Sequence, residues 1–111
     1  MESPSRLLLE FSSSGLVSKG ELYLPLEAAR RLVERCREKR IAILGVEAFD
    51  ILAGEIRPRV DLIADFSDAF DSAPDWIEAV VRTAQDAISF LDAAADGGPT
   101  LHVNFTLKAN S

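Results

Sequence analysis

The sequence is poor in the residues that most chemistry uses. Among its 111 residues there is one cysteine, one tryptophan, one tyrosine and one histidine. A lone cysteine, Cys36, has no internal partner, so no disulfide can staple the chain and a reducing compartment is expected. His102 is the only imidazole, and nucleophilic catalysis would need it as the base within hydrogen-bond reach of a thiol or hydroxyl. Cys36 falls on the apolar face of a helical pattern, and His102 on the polar face of a distant strand pattern. The pair therefore reads as a small buried hydrophobe and a surface imidazole. No G-x-S-x-G elbow occurs, and Gly97 and Gly98 read as a helix stop rather than a phosphate loop.

Long apolar runs are also missing. No stretch approaches the roughly 20 residues of a membrane span. The start, MESPSRLLLEF, lacks the basic start and the apolar segment of a secretory leader. A cytoplasmic protein is expected. Basic charge is scarce as well: 12 Lys and Arg face 18 Asp and Glu, for a net charge of −6. Nucleic-acid binding requires a basic footprint for the phosphates, and an anionic membrane surface requires the same, so both are disfavoured. Basic partners fit this balance.

What is present suffices for a core. Hydrophobic residues make up 48% of the chain, and a chain of this length buries roughly two-thirds of its unfolded surface. One domain spanning residues 1–111 is expected. RLLLEF (6–11) has the length of a strand but an ambiguous composition, and SSSG (12–15) reads as a turn. GELYLPL (20–26) is extended and runs into Pro25, which suits the first turn of a helix. From Pro25 to Lys39, Leu26, Ala29, Val33 and Cys36 recur at helical spacing, flanked by Leu32.

RIAILGVEAFDIL (40–52) reads as a strand, and Ala53 and Gly54 as a turn. EIRPRVDLIADF (55–66) alternates, with Ile56, Pro58, Val60, Leu62, Ala64 and Phe66 on one side and Ile63 the exception. Pro58 places this strand at an edge or at a bulge. Ser72 is the expected N-cap of a second long helix, with Pro74 and Asp75 in its first turn. Its stripe is Ile77, Val80, Val81, Ala84, Ala87, Ile88 and Leu91, and it closes near Gly97 or Gly98. In TLHVNFTLKA, Leu101, Val103, Phe105 and Leu107 point inwards while His102, Asn104, Thr106 and Lys108 point outwards.

The order β-α-β-β-α-β predicts an α+β two-layer sandwich, with two helices on one face of a mostly antiparallel sheet, in the ferredoxin-like arrangement. The other sheet face would be at least partly wet.

The stretch DLIADFSDAFDSAPDW (61–76) stands out. It holds five aspartates, Asp61, Asp65, Asp68, Asp71 and Asp75, and no basic residue. Asp65, Asp68 and Asp71 recur every three residues, which is neither the alternate spacing nor the glycine-containing loop of an EF-type calcium site. No metal and no cofactor are expected, and no pocket group accompanies the carboxylates for acid–base work. Residues 61–96 carry nine acidic residues and only Arg82 as a base, whereas residues 30–40 carry six basic and two acidic. One reading is a pair of solvated helix faces. The other is a docking surface for a basic protein: Asp65, Asp68, Asp71 and Asp75 would speed encounter, and Phe70 and Trp76 would anchor the complex unless they belong to the core. Asp65 and Ser67 also suit a backbone cap at the strand end.

Three pieces of the chain, IAILGVEAFDI (41–51), LIADFSD (62–68) and Trp76 with AISFLD (87–92), resemble the immunity-protein family numbered forty in the bacterial polymorphic-toxin series. The resemblance covers about Tyr23 to Leu107 and leaves residues 1–20 outside. Its motif positions include Glu47, Phe49, Asp65, Phe66, Ser67, Asp68 and Trp76. It implies a non-catalytic inhibitor, not an enzyme, that neutralises a cognate toxin by stoichiometric binding; an acidic inhibitor suits a basic toxin. Two alternatives stand beside it. One is a small ferredoxin-like regulatory or ligand-binding module, which could form a homodimer through its open sheet. The other is a small enzyme, for which no catalytic constellation is seen.

Overall fold

The computed structural model describes residues 3–110. Its chain opens with a helix where strand length had left the assignment ambiguous. The Ser3 side chain accepts from the Arg6 backbone N–H, and Pro4 occupies the first turn, so α1 runs Pro4–Glu10. A serine cap followed by proline starts a helix whatever the apolar content of the next residues. A 3-10 turn at Ser12–Ser14 leads to β1 (Leu16–Ser18), a short strand that local pattern had not indicated, and then to β2 (Glu21–Pro25). Leu7 and Phe11 reach the core from this N-terminal segment.

Helix α2 (Leu26–Lys39) starts one residue later than expected, because Pro25 is extended and acts as the cap. It buries Ala28, Ala29, Leu32, Val33 and Cys36. Arg40 ends it in the left-handed conformation, with φ 57°. Strands β3 (Ala42–Leu52) and β4 (Glu55–Asp65) form a hairpin. Its two loop residues, Ala53 and Gly54, both have positive φ, as a primed two-residue turn requires.

A short helix, α3 (Ser67–Ser72), separates β4 from α4 (Trp76–Ala94). The N-cap of α4 is Asp75, whose side chain accepts from Glu78 N–H, rather than Ser72. Its buried side comprises Ala79, Val80, Thr83, Ala84, Ala87, Leu91 and Ala94. Ile77 lies outside this stripe and is 55% exposed. Gly98 takes a positive φ of 101° after the helix, and β5 (Leu101–Lys108) closes the chain.

The fold is α+β: α2 and α4 pack against one face of an open five-stranded antiparallel sheet. The strand order is β1-β2-β5-β3-β4. This corrects the ferredoxin-like expectation. The last strand enters between β2 and β3, and the hairpin partner β4 is left at the edge. Both crossovers still skip one strand, so the order of elements along the chain is that of a split βαβ protein while the neighbours differ.

Two irregularities shape the sheet. The β3–β5 register shifts between Ile43 and Gly45. The β3–β4 register shifts where Glu47 pairs with Ile63 and Ala48 with Arg59, so Val60, Asp61 and Leu62 have no partner across the ladder. The expected alternation of β4 fails at that bulge: Val60 is 81% exposed. Pro58 sits on this edge strand near the bulge, where a missing N–H and an interrupted ladder discourage further strand pairing.

Inward residues of β5 follow expectation: Leu101, Val103 and Phe105 are buried and Leu107 is partly so. The Thr83 hydroxyl donates to Ala79 C=O at 2.9 Å and accepts from Ile43 N–H at 3.1 Å. It thus satisfies a backbone donor beside the β3 bulge, in a place no water can reach.

Candidate partner-binding surface

Strand β4 ends at a corner that its own side chains build. Asp65 Oδ1 accepts from both the backbone N–H and the hydroxyl of Ser67. This local loop turns the chain from β4 into α3, as the sequence suggested. The same bonds hold the Asp65 carboxyl below the usual carboxylate range. Asp75 is likewise structural, capping α4 at 2.8 Å. Asp61 is held by the Arg59 guanidinium, whose hydrogen bonds keep its carboxyl below the usual carboxylate range too.

Asp68 and Asp71 differ from these. Both are exposed on α3, three residues apart and hence on neighbouring positions of one face. Neither joins an ion pair among the described residues. Phe70 and Trp76 are half-buried and pack edge to face, their ring centroids 5.8 Å apart. The indole N–H of Trp76 donates to the Arg40 carbonyl at 2.8 Å. The six sequence-derived residues therefore fall along one corner, from the end of β4 through α3 to the start of α4. Phe66, between them, is buried and belongs to the core.

The two charge blocks are not held apart. Arg40 touches Trp76, and Arg30 of α2 pairs with Asp92 of α4 at 2.8 Å. Arg35 pairs with Glu10 and Glu38, and Arg37 with Glu34. Much of the basic block is thus neutralised locally, and exposed pairs of this kind add little stability.

The open face of the sheet holds residues that the acidic-stretch reading did not reach. Tyr23 of β2 and Phe49 of β3 meet edge to face at 5.0 Å, above β5 and its polar side chains His102 and Asn104. Asn104 donates to Glu21 Oε2 and Leu22 C=O. Glu47 stands opposite Ile63, and Gly45 opposite Asp65. Ile63 is 54% exposed; it was the exception to the alternation of β4 in the sequence, which was the available signal.

The lone thiol is shut away from solvent. Cys36 is fully buried on α2, and burial pushes its thiol up to about 12. Among the described residues no cluster of three or more His, Cys, Asp or Glu is placed to hold a metal ion, and no helix is long and apolar enough to cross a membrane. Fold and surface together define a small α+β protein with one helix-covered and one open sheet face. No family model, curated protein or solved structure matches the chain.

Proposed function

We propose that the protein is a non-catalytic immunity protein that binds and neutralises a cognate bacterial toxin by forming a stoichiometric complex. The reading rests on the resemblance of its IAILGVEAFDI and LIADFSD segments and Trp76 to that family. The observation that carries the site is the pair Asp68 and Asp71: two exposed carboxylates without ion-pair partners among the described residues, beside the Phe70–Trp76 ring pair. Such charges raise the encounter rate with a basic protein more than they raise affinity. The toxin is accordingly expected to be basic, and inhibition needs no turnover.

The test is co-expression with the protein encoded beside it. Growth arrest by that neighbour should be relieved, and a one-to-one complex should elute from a sizing column. Replacing Asp68 and Asp71 together by lysine should slow association and flatten its dependence on salt. A neighbour that is neither toxic nor bound removes the immunity reading; unchanged association rates remove the two carboxylates from it.

A further inference from the structure

The sheet face left bare by the helices has its own chemistry. By strand alternation it presents Glu21, Glu47 and Asp65 as acids, with Lys108 at the far end of β5 as its cation. An exposed isoleucine lies among the acids: Ile63 stands opposite Glu47 and two residues from Asp65 on the same strand face. A shallow groove of about 350 Å³ runs there, lined in part by Gly45, Glu47, Ile63, Asp65 and Thr106. Both bonds from Ser67 reach Asp65 through Oδ1, which fixes the carboxylate while Oδ2 takes none of them. A carboxylate ordered in advance loses less entropy on binding than a free one.

We propose that this face is a docking platform for the basic partner, and that one partner arginine lies along Ile63 with its guanidinium between Glu47 and Asp65. This deepens the immunity reading and rests on its basic protein partner. Diagonal neighbours across an antiparallel pair stand about 7–8 Å apart, which admits one planar guanidinium bonded to both carboxylates. Arginine suits the site better than lysine, because its fork matches carboxylate geometry and its stem covers apolar surface. The Tyr23–Phe49 pair extends the contact beyond a single side chain. A second copy is the poorer occupant: a two-fold contact through this face sets its acids against themselves. On this arrangement Asp68 and Asp71 govern association, while Glu47, Ile63 and Asp65 govern dissociation.

The experiment is an NMR titration of the ¹⁵N-labelled protein with a short peptide alternating arginine and leucine, and separately with free L-arginine. Shifts should centre on Glu47, Ile63, Asp65 and Thr106. Glu47→Lys should weaken peptide binding at least tenfold, and Asp96→Lys, the same charge change elsewhere, less than twofold. Shifts confined to α3 and the first turn of α4, no binding, or self-association through the sheet would each overturn the proposal. Free arginine binding as tightly as the peptide would also overturn it, in favour of a small-ligand site. If the neighbouring protein proves harmless while the peptide seats on the sheet, the immunity reading alone fails. If the neighbour is neutralised equally well by Glu47→Lys and Ile63→Lys variants, the platform alone fails.

Discussion

The indole N–H of Trp76 donates to the backbone carbonyl of Arg40 across 2.8 Å, joining the first residue of α4 to the left-handed residue that ends α2. Both helix ends face one another at this point, and the carbonyl of a residue outside the helical ladder gains a donor it would otherwise take from water. Trp76 is thereby tied to the scaffold through its indole N–H and packed edge to face with Phe70.

Trp76→Phe should keep the ring packing and lose that bond. The expected cost is about 1 kcal/mol, since an exposed carbonyl can recover water. Urea denaturation should show a lower midpoint with an unchanged slope; an unaltered midpoint would show that the bond adds nothing.

Thr83→Val should cost more, about 1–3 kcal/mol, because it strands the buried Ile43 N–H without an acceptor. The hydroxyl is fully buried and spans α4 and β3. Thr83→Ser keeps the acceptor and should recover most of the loss. Equal stability of the valine and serine forms would contradict the assigned role.

Acid should destabilise the protein through carboxylates that bind protons less tightly folded than unfolded. Glu10 is held below the usual range by its hydrogen bonds to Arg35, Asp61 by Arg59, and Asp65 by Ser67. The unfolded chain takes up protons first as pH falls. The stabilisation is therefore present above the ordinary carboxylate range and is lost as pH drops through it towards the folded values. The urea midpoint should decline over that window, and Glu10→Gln should make the decline shallower. A variant that tracks the parent at every pH would exclude the Glu10–Arg35 contact from acid sensitivity.

The β3–β4 turn can be improved. Ala53 has φ 53° and precedes Gly54 at φ 80°, a geometry in which a side-chain Cβ costs energy and asparagine is tolerated. Ala53→Asn should raise stability by up to about 1 kcal/mol, seen as a rise of a few degrees in the thermal midpoint. A lower midpoint would mean that the turn is not limited by its backbone conformation.

Local pattern determined much of this protein. The apolar stripes of α2 and α4, the faultless alternation of β5 and the edge character that Pro58 gives β4 are properties of residues two to four positions apart. The Asp65–Ser67 corner is equally local. Tertiary structure alone decided the rest. The strand order was open because β5 can pair with either neighbour at the same alternation, and only the combined burial of β2, β3 and both helices places it centrally. Thr83 sits within a helical pattern, and only the packing of α4 on β3 brings its hydroxyl to a backbone donor on that strand. The bulge at Val60, Asp61 and Leu62 reverses the side on which following residues emerge, which puts Ile63 beside Glu47 and Asp65 on the uncovered face. Spacing along a chain fixes which residues share a face of one element; which elements then touch depends on packing over the whole molecule.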